Sequence, residues 1–166
     1  MQHDLEGMVA KRKDSVYEQG LRTGSWLKVK NLKTCDCIIF GYGKGEGARE
    51  STFGAFVVGL YDNQGEPVYV AHVGTGFTDK LLKELYTQFQ TIKSNIAPFQ
   101  VRGMERVIWL EPKLVCEVIY QIVTTDYRLR MPSRHILMFD KEPSECTIDQ
   151  IEDRGRFFSH LIVCRV

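Results

Sequence analysis

Residues 53–92 read FGAFVVGLYDNQGEPVYVAHVGTGFTDKLLKELYTQFQTI, and they contain clear signals for both strands and a helix. Its first part holds two runs rich in β-branched and aromatic residues, 53–62 and 67–73, joined by the turn Asp62-Asn63-Gln64-Gly65, which is a pattern typical of paired strands. From Thr78 to Ile92 the apolar residues repeat at helical spacing, and Thr78 is the predicted N-cap. The stretch therefore predicts two neighbouring strands followed by one amphipathic helix.

Further strand-like runs flank this stretch on both sides. They are predicted at residues 5–11, 26–30, 35–42, 107–124 (one strand, or two broken at Glu111-Pro112), around 128–139, and 157–166. Strands of similar length with one inserted helix are typical of a small Greek-key barrel, of which the five-stranded oligonucleotide-binding (OB) fold is the commonest. The sequence thus predicts a mostly β protein: a five-stranded Greek-key OB-fold barrel with one inserted helix, preceded by a β-hairpin.

Composition narrows the class of protein. The chain has 166 residues, 43% hydrophobic and 26% charged, which suits one domain, or one domain and a fragment of another, and excludes a disordered chain. The net charge of +1 argues against a uniformly cationic surface, although residues 1–33 carry more basic than acidic side chains. No signal peptide and no long apolar run is present, so neither secretion nor a membrane span is expected, and a cytoplasmic location is predicted.

The five cysteines show no CxxC pair and lie mostly within apolar runs. They are therefore predicted to be buried free thiols of a reducing compartment. A zinc site that combines Cys35 and Cys37 with His72 or His160 is the less favoured alternative.

Lys28 and Lys30 stand two positions apart on the alternating run 26–30, so both ammonium groups project from one strand face. Like charges this close repel unless an anion lies between them, which points to nucleotide or nucleic-acid phosphate. A solvated strand face that binds nothing is the alternative. Glu6, on the neighbouring run, is a candidate Mg²⁺ ligand beside such a phosphate.

The glycine-rich stretch 41–47 matches neither a phosphate-binding P-loop nor a dinucleotide fingerprint, because it lacks a GK[ST] ending and a third glycine at the required spacing. Its basic residue Lys44, together with Arg49 just beyond it, predicts a loop that contacts the phosphates of a DNA backbone.

Several motifs occur in the order known from one family. Residues 5–11 (LEGMVAK) and 26–30 (WLKVK) resemble nucleotidyltransferase motifs IV and V of the ATP-dependent DNA ligases, with similar spacing. The resemblance continues through 51–59 (STFGAFVVG), 72–77 (HVGTGF) and 109–118 (WLEPKLVCEV), and ends near 139–143 (FDKEP), which resembles the end of motif VI. It covers roughly residues 4–150.

The resemblance implies a division of the chain. Residues 1–33 would be the last part of a nucleotidyltransferase (adenylation) domain, residues 34–150 the OB-fold DNA-binding domain, and residues 151–166 a tail or extra strand. It also implies ATP and Mg²⁺ as cofactors, and as partners nicked duplex DNA and the remaining, amino-terminal part of the adenylation domain.

The resemblance assigns roles to individual residues. Glu6 would bind the metal, and the nucleotide would be contacted by Lys11, Arg22, Lys28 and Lys30. Asp140 and Lys141 would belong to the motif that moves onto ATP during adenylylation of the enzyme, so they and the lysine pair would act in catalysis.

Two features depart from the family pattern. The lysine that becomes adenylylated lies in a KxDG motif, which this sequence does not contain, so the chain alone is predicted not to adenylylate itself. An arginine is expected two residues before Asp140, where Met138 is found, and Arg130 or Arg134 would have to substitute for it.

Two functions without catalysis remain open at this point. The chain could be a stand-alone DNA-binding OB module, or an oligomerising fragment. Residues 1–33 would be strands without their parent sheet, and since unpaired strand edges seek partners, a homodimer through this hairpin is the expected form of that alternative.

Overall fold

The computed structural model describes residues 7–16, 19–20, 24–99, 106–138, 140–152 and 162–165, and at 134, 135, 152 and 162–165 it describes the backbone alone. The strands are β1 (Gly7–Lys11), β2 (Trp26–Lys30), β3 (Lys33–Lys44), β4 (Phe53–Tyr61), β5 (Pro67–Val73), β6 (Val107–Trp109), β7 (Val115–Tyr120), β8 (Ile122–Val123), β9 (Leu129–Arg130), β10 (Ser133–Met138) and β11 (Ile162–Arg165). The helices are α1 (Asp79–Thr91) and α2 (Asp149–Glu152), and short 3₁₀ turns lie at Gly47–Arg49 and Pro143–Glu145. The mostly β prediction with one long inserted helix is confirmed.

The larger sheet is antiparallel and has the strand order β10-β7-β3-β4-β5. Counted from β3, this is the order 5-4-1-2-3, the connectivity of an OB fold. β3 makes this possible because it is long: its first half pairs with β7 and its second half with β6, while β4 lies along its other side. At Gly41 a Cβ atom would lie 2.8 Å from Val107 Cγ1 and 2.9 Å from the Ile108 carbonyl oxygen, so only glycine lets β6 approach this closely.

The predicted five-stranded barrel needs one correction. In the described part of the chain, β5 and β10 share no ladder, so the sheet is open at its two ends and is not a closed barrel. Side chains bridge from β5 to the β8–β9 hairpin instead: the Arg128 guanidinium lies 4.2 Å from the Tyr69 ring centroid and donates to the Tyr69 carbonyl oxygen. The predicted run 107–124 is also divided further than expected, into β6, β7 and β8.

Helix α1 closes one end of this sheet. Thr78 caps it as predicted, accepting a hydrogen bond from the Leu81 amide at 3.3 Å. The apolar stripe buries Leu82, Leu85 and Phe89 in the core that the large sheet curves around. The stripe therefore packs on the core, as its spacing predicted.

The predicted hairpin is also present, and it is part of a second sheet. β1 and β2 pair antiparallel, and β11 pairs with the other edge of β2, giving the order β1-β2-β11. The predicted strand at 157–166 thus forms over 162–165 and covers one of the edges on which the homodimer prediction rested. That dimer and the domain boundaries at 33/34 and 150/151 stay predictions.

Candidate functional site

The lysine pair lies on the central strand of the small sheet. Trp26, Lys28 and Lys30 alternate along β2 on one face, and their partners across β1 on that face are Lys11, Val9 and Gly7. Lys28 and Lys30 are half-buried, and with a rise of about 3.4 Å per residue their Cα atoms are about 7 Å apart. The structure therefore brings three of the predicted nucleotide-contacting lysines onto one sheet face.

Lys11 has a defined place on this face. Its ammonium lies 3.9 Å from the ring centroid of Trp26, its direct cross-strand partner. A cation over an indole face is held electrostatically, so this contact fixes the end of the hairpin as well as the charge.

Gly7 fixes the other end of the same face. Its φ of 152° and a hypothetical Cβ position only 2.1 Å from the Val29 carbonyl oxygen require glycine there. Glu6 and Arg22, two further residues of the predicted site, lie outside the described residues.

Arg49 uses its guanidinium within the protein. Nη1 donates to the carbonyl oxygens of Gly54, at 3.0 Å, and Gly74, at 2.9 Å, and the guanidinium carbon lies 5.8 Å from the Phe77 ring centroid. Arg49 thereby ties the glycine-rich loop to the start of β4 and the end of β5. Lys44, at the end of β3, is exposed, so it presents a positive charge to solvent. The predicted DNA contacts of both residues stay predictions.

Lys141 and Asp140 differ in environment although they are adjacent. Asp140 is exposed, whereas Lys141 forms an ion pair with Asp36 of β3, with 17% and 11% of the two side chains exposed. Sequence reasoning missed Asp36. A carboxylate between two cysteines in an apolar run was the available signal, since a buried charge requires a partner.

The position at which motif VI is expected to have an arginine lies in an apolar environment. Met138 is partly buried and packs against the core. Of its two candidate substitutes, Arg130 is exposed on β9, and the side chain of Arg134 lies outside the described residues.

The cysteines agree with the free-thiol prediction wherever side chains are described. Cys35, Cys37, Cys116 and Cys146 are free and buried, and the sulfur atoms of the first two lie 3.5 Å apart. Burial, followed by the hydrogen bond with Cys35, raises the pKa of the Cys37 thiol well above its usual value, and burial raises the pKa of Cys146 to about 12. The raised pKa values keep the Cys37 and Cys146 thiols protonated near neutral pH, which suits a packing role.

The described residues contain no group of three or more His, Cys, Asp and Glu side chains arranged to hold a metal ion, so the zinc alternative gains no support from them. Among them, too, every helix is too short or too polar to cross a membrane.

Comparison with known proteins decides the family. A family model described as the ATP dependent DNA ligase C terminal region matches residues 49–141, more than half of the chain. The chain belongs to the ATP-dependent DNA ligase family. The match confirms the resemblance read from the motifs and assigns the segment from the Arg49 turn to Lys141, which contains strands β4 to β10 and helix α1, to the C-terminal region of these ligases.

Curated ligases match over most of this chain. The multifunctional non-homologous end joining protein LigD of Mycolicibacterium smegmatis is 41% identical over 148 residues, which are 85% of this chain and 19% of that protein. The DNA ligase of Thermococcus fumicolans is 39% identical over 157 residues, 89% of this chain and 27% of its own length. The chain thus spans about a fifth to a quarter of these DNA ligases.

Solved ligase structures have the same fold. The ligase domain of M. tuberculosis LigD superposes with a TM-score of 0.66 at 35% identity, covering 86% of this chain and 47% of that domain. A mycobacterial DNA ligase D, solved with ATP and MES, superposes with a TM-score of 0.60 at 31% identity. That alignment covers 84% of this chain and 45% of the ligase D chain. Both alignments extend beyond the family-model match, so this chain resembles the two structures outside residues 49–141 as well.

Proposed function

We propose that this chain is the C-terminal part of an enzyme that seals nicks in duplex DNA at the expense of ATP. The single observation that carries the proposal is the placement of half-buried Lys28 and Lys30 on one face of β2, in a chain of the DNA ligase family. Two ammonium groups this close, partly shielded from water, favour a polyanion between them. The mycobacterial relatives are named for non-homologous end joining, so DNA repair is the process proposed.

The proposed reaction has three phosphoryl transfers. A lysine attacks the α-phosphorus of ATP and releases pyrophosphate, AMP then passes to the 5′-phosphate at the nick, and the 3′-hydroxyl finally displaces AMP. Each transfer spreads negative charge over phosphate oxygens, which fixed cations stabilise. In this proposal Lys28 and Lys30 supply that stabilisation, Lys11 and Arg22 contact the nucleotide, and the attacking lysine comes from a KxDG segment outside this sequence.

Asp140 and Lys141 are proposed to act at the first transfer, when motif VI meets ATP. Mg²⁺ binds one or two carboxylates together with phosphate oxygens, and Glu6 is the carboxylate proposed for it. Because Glu6 lies outside the described residues, the proposal assigns it no geometry.

A chimera tests the proposed function. This chain would replace the equivalent half of the M. tuberculosis LigD ligase domain, to which it is 35% identical. We expect the chimera to become labelled by [α-³²P]ATP and to seal a nicked duplex, and the chain alone to do neither, because it lacks KxDG. A folded chimera that becomes labelled by ATP but seals no nick would contradict the proposal that this chain is the C-terminal part of a nick-sealing ligase.

DNA binding by this chain alone is the second test. Affinity for a nicked duplex should fall linearly on a log-log plot against salt concentration, and replacing exposed Lys44 by alanine should reduce the slope by about 1. Lys113→Ala is the matched control, because Lys113 is paired with Glu111 at 2.5 Å and its charge is already compensated. Equal slopes for the chain and both variants would remove Lys44 from the interface.

A further inference from the structure

The pairing of Lys141 with Asp36 places a charge of motif VI inside the OB domain. The two residues are 105 positions apart, and Lys141 donates to Asp36 Oδ2 with both side chains largely shielded from water. With its charge compensated by Asp36 and only 17% of its side chain exposed, Lys141 is poorly placed to contact a nucleotide phosphate at the same time. The contact is therefore a competitor for the role that the proposed function gives to Lys141.

The backbone of Asp36 is held by a second contact. The Gln150 side chain of α2 accepts from the Asp36 amide at 3.0 Å and donates to the Asp36 carbonyl oxygen at 3.2 Å. This double hydrogen bond fixes the strand position from which the carboxylate projects. Because the backbone of Asp36 is held in this way, separation of the pair requires movement of the Lys141 segment more than of β3.

Burial adds to the cost of separation. Only 11% of the Asp36 side chain is exposed, and Glu117 of β7 is the direct cross-strand partner of Asp36, so both side chains lie on the same face of the sheet. When Lys141 leaves, the largely buried Asp36 carboxylate loses an ion-pair partner, which is unfavourable in a medium of low polarity. An arriving polyphosphate has to offset this cost.

We propose that Asp36 is a positioning residue that holds Lys141 in the OB domain, and that a nucleotide triphosphate must displace Asp36 before Lys141 can engage it. This inference rests on the proposed role of Lys141 at the nucleotide. The state with Lys141 released is a minor one, and the apparent affinity of a ligand that needs it is reduced by its fractional population. Neutralising Asp36 therefore raises apparent affinity for a triphosphate through Lys141.

The experiment uses this chain alone with inorganic tripolyphosphate as the probe, measured by isothermal titration calorimetry. We expect Asp36→Asn to bind at least about fivefold more tightly than the unmodified chain, and the double variant Asp36→Asn/Lys141→Met to lose this gain. In ¹⁵N spectra of lysine ammonium groups, the Lys141 signal should be protected from solvent exchange in the unmodified chain and lose that protection when tripolyphosphate is added.

Glu142→Gln is the matched control, since it removes one negative charge next to Lys141 from an exposed side chain. The proposal is overturned if Asp36→Asn binds no more tightly than Glu142→Gln, if the gain survives in the double variant, or if no variant binds the probe. Unchanged protection of Lys141 at saturating probe overturns it as well. Failure of the chimera to seal nicks would instead count against the proposed function, because tripolyphosphate binding requires no adenylation domain.

Discussion

Replacing Lys28 with alanine is expected to lower the single-turnover rate of nick sealing by the chimera about 100-fold or more. Lys28 is half-buried on the same face of β2 as Lys30, where its interaction with a phosphate oxygen is less screened than in water. Its removal leaves the charge that develops on the transferred phosphoryl group with one fixed cation fewer. The rate is measured on a nicked duplex with a labelled 5′-phosphate, at saturating enzyme.

Lys13→Ala is the control for this experiment, because Lys13 belongs to the same hairpin region but is exposed in the turn after β1. Lys28→Arg keeps the charge but changes its shape, and we expect it to restore only part of the rate. A rate for Lys28→Ala within about threefold of the Lys13→Ala rate would show that the lysine face is merely solvated. That result would favour the alternative that this strand face is solvated and binds no phosphate.

Local periodicity was sufficient to predict the bounds of an element where the element itself contains the complete pattern. The run 67–73 was predicted with the bounds that β5 has, and α1 begins and ends within one residue of the predicted range. In both cases the alternation or the helical repeat, together with Pro67 or the cap Thr78, is contained in the element itself.

Pairing with distant segments decides what periodicity left open. β3 was predicted at 35–42 but extends over Lys33–Lys44, because β7 pairs with its first residues and β4 with its last. The run 107–124 contains three strands for a similar reason: β6 and β7 pair with different parts of β3, and β8 pairs with β9. Propensity alone cannot reveal partners that lie so far along the chain.

The partners of charged residues at the candidate site also depend on distant segments, so the sequence predicts them poorly. The lysine face of β2 followed from a spacing of two residues, which the strand geometry preserves. The hydrogen bonds of the Arg49 guanidinium to the carbonyl oxygens of Gly54 and Gly74 could not be foreseen from the sequence, and its predicted DNA contact stays a prediction. The partners of Asp36, Lys141 and Gln150, are more than 100 positions away in the sequence, so only the folded chain reveals them.

Phe89→Ala is expected to lower the free energy of unfolding by about 3–5 kcal/mol, which is a large part of the stability of a domain of this size. Phe89 has no solvent exposure, stacks on Tyr42 with ring centroids 5.2 Å apart, and contacts Phe53 at 5.3 Å. These contacts attach α1 to β3 and β4, so the cavity left by alanine weakens the join between helix and sheet. Urea unfolding followed by circular dichroism measures the loss.

Gln88→Ala is the matched control, since Gln88 is the exposed neighbour of Phe89 on α1 and its replacement should change stability by no more than about 0.5 kcal/mol. Leucine at position 89 fills most of the space of the ring, so the free energy of unfolding of Phe89→Leu should lie between those of Phe89→Ala and Gln88→Ala. An unfolding free energy for Phe89→Ala equal to that of Gln88→Ala would mean that the helix is not anchored through this ring.

Phe89→Ala is also expected to weaken binding of a nicked duplex at temperatures where the variant is partly unfolded, because only the folded chain presents Lys44 to DNA.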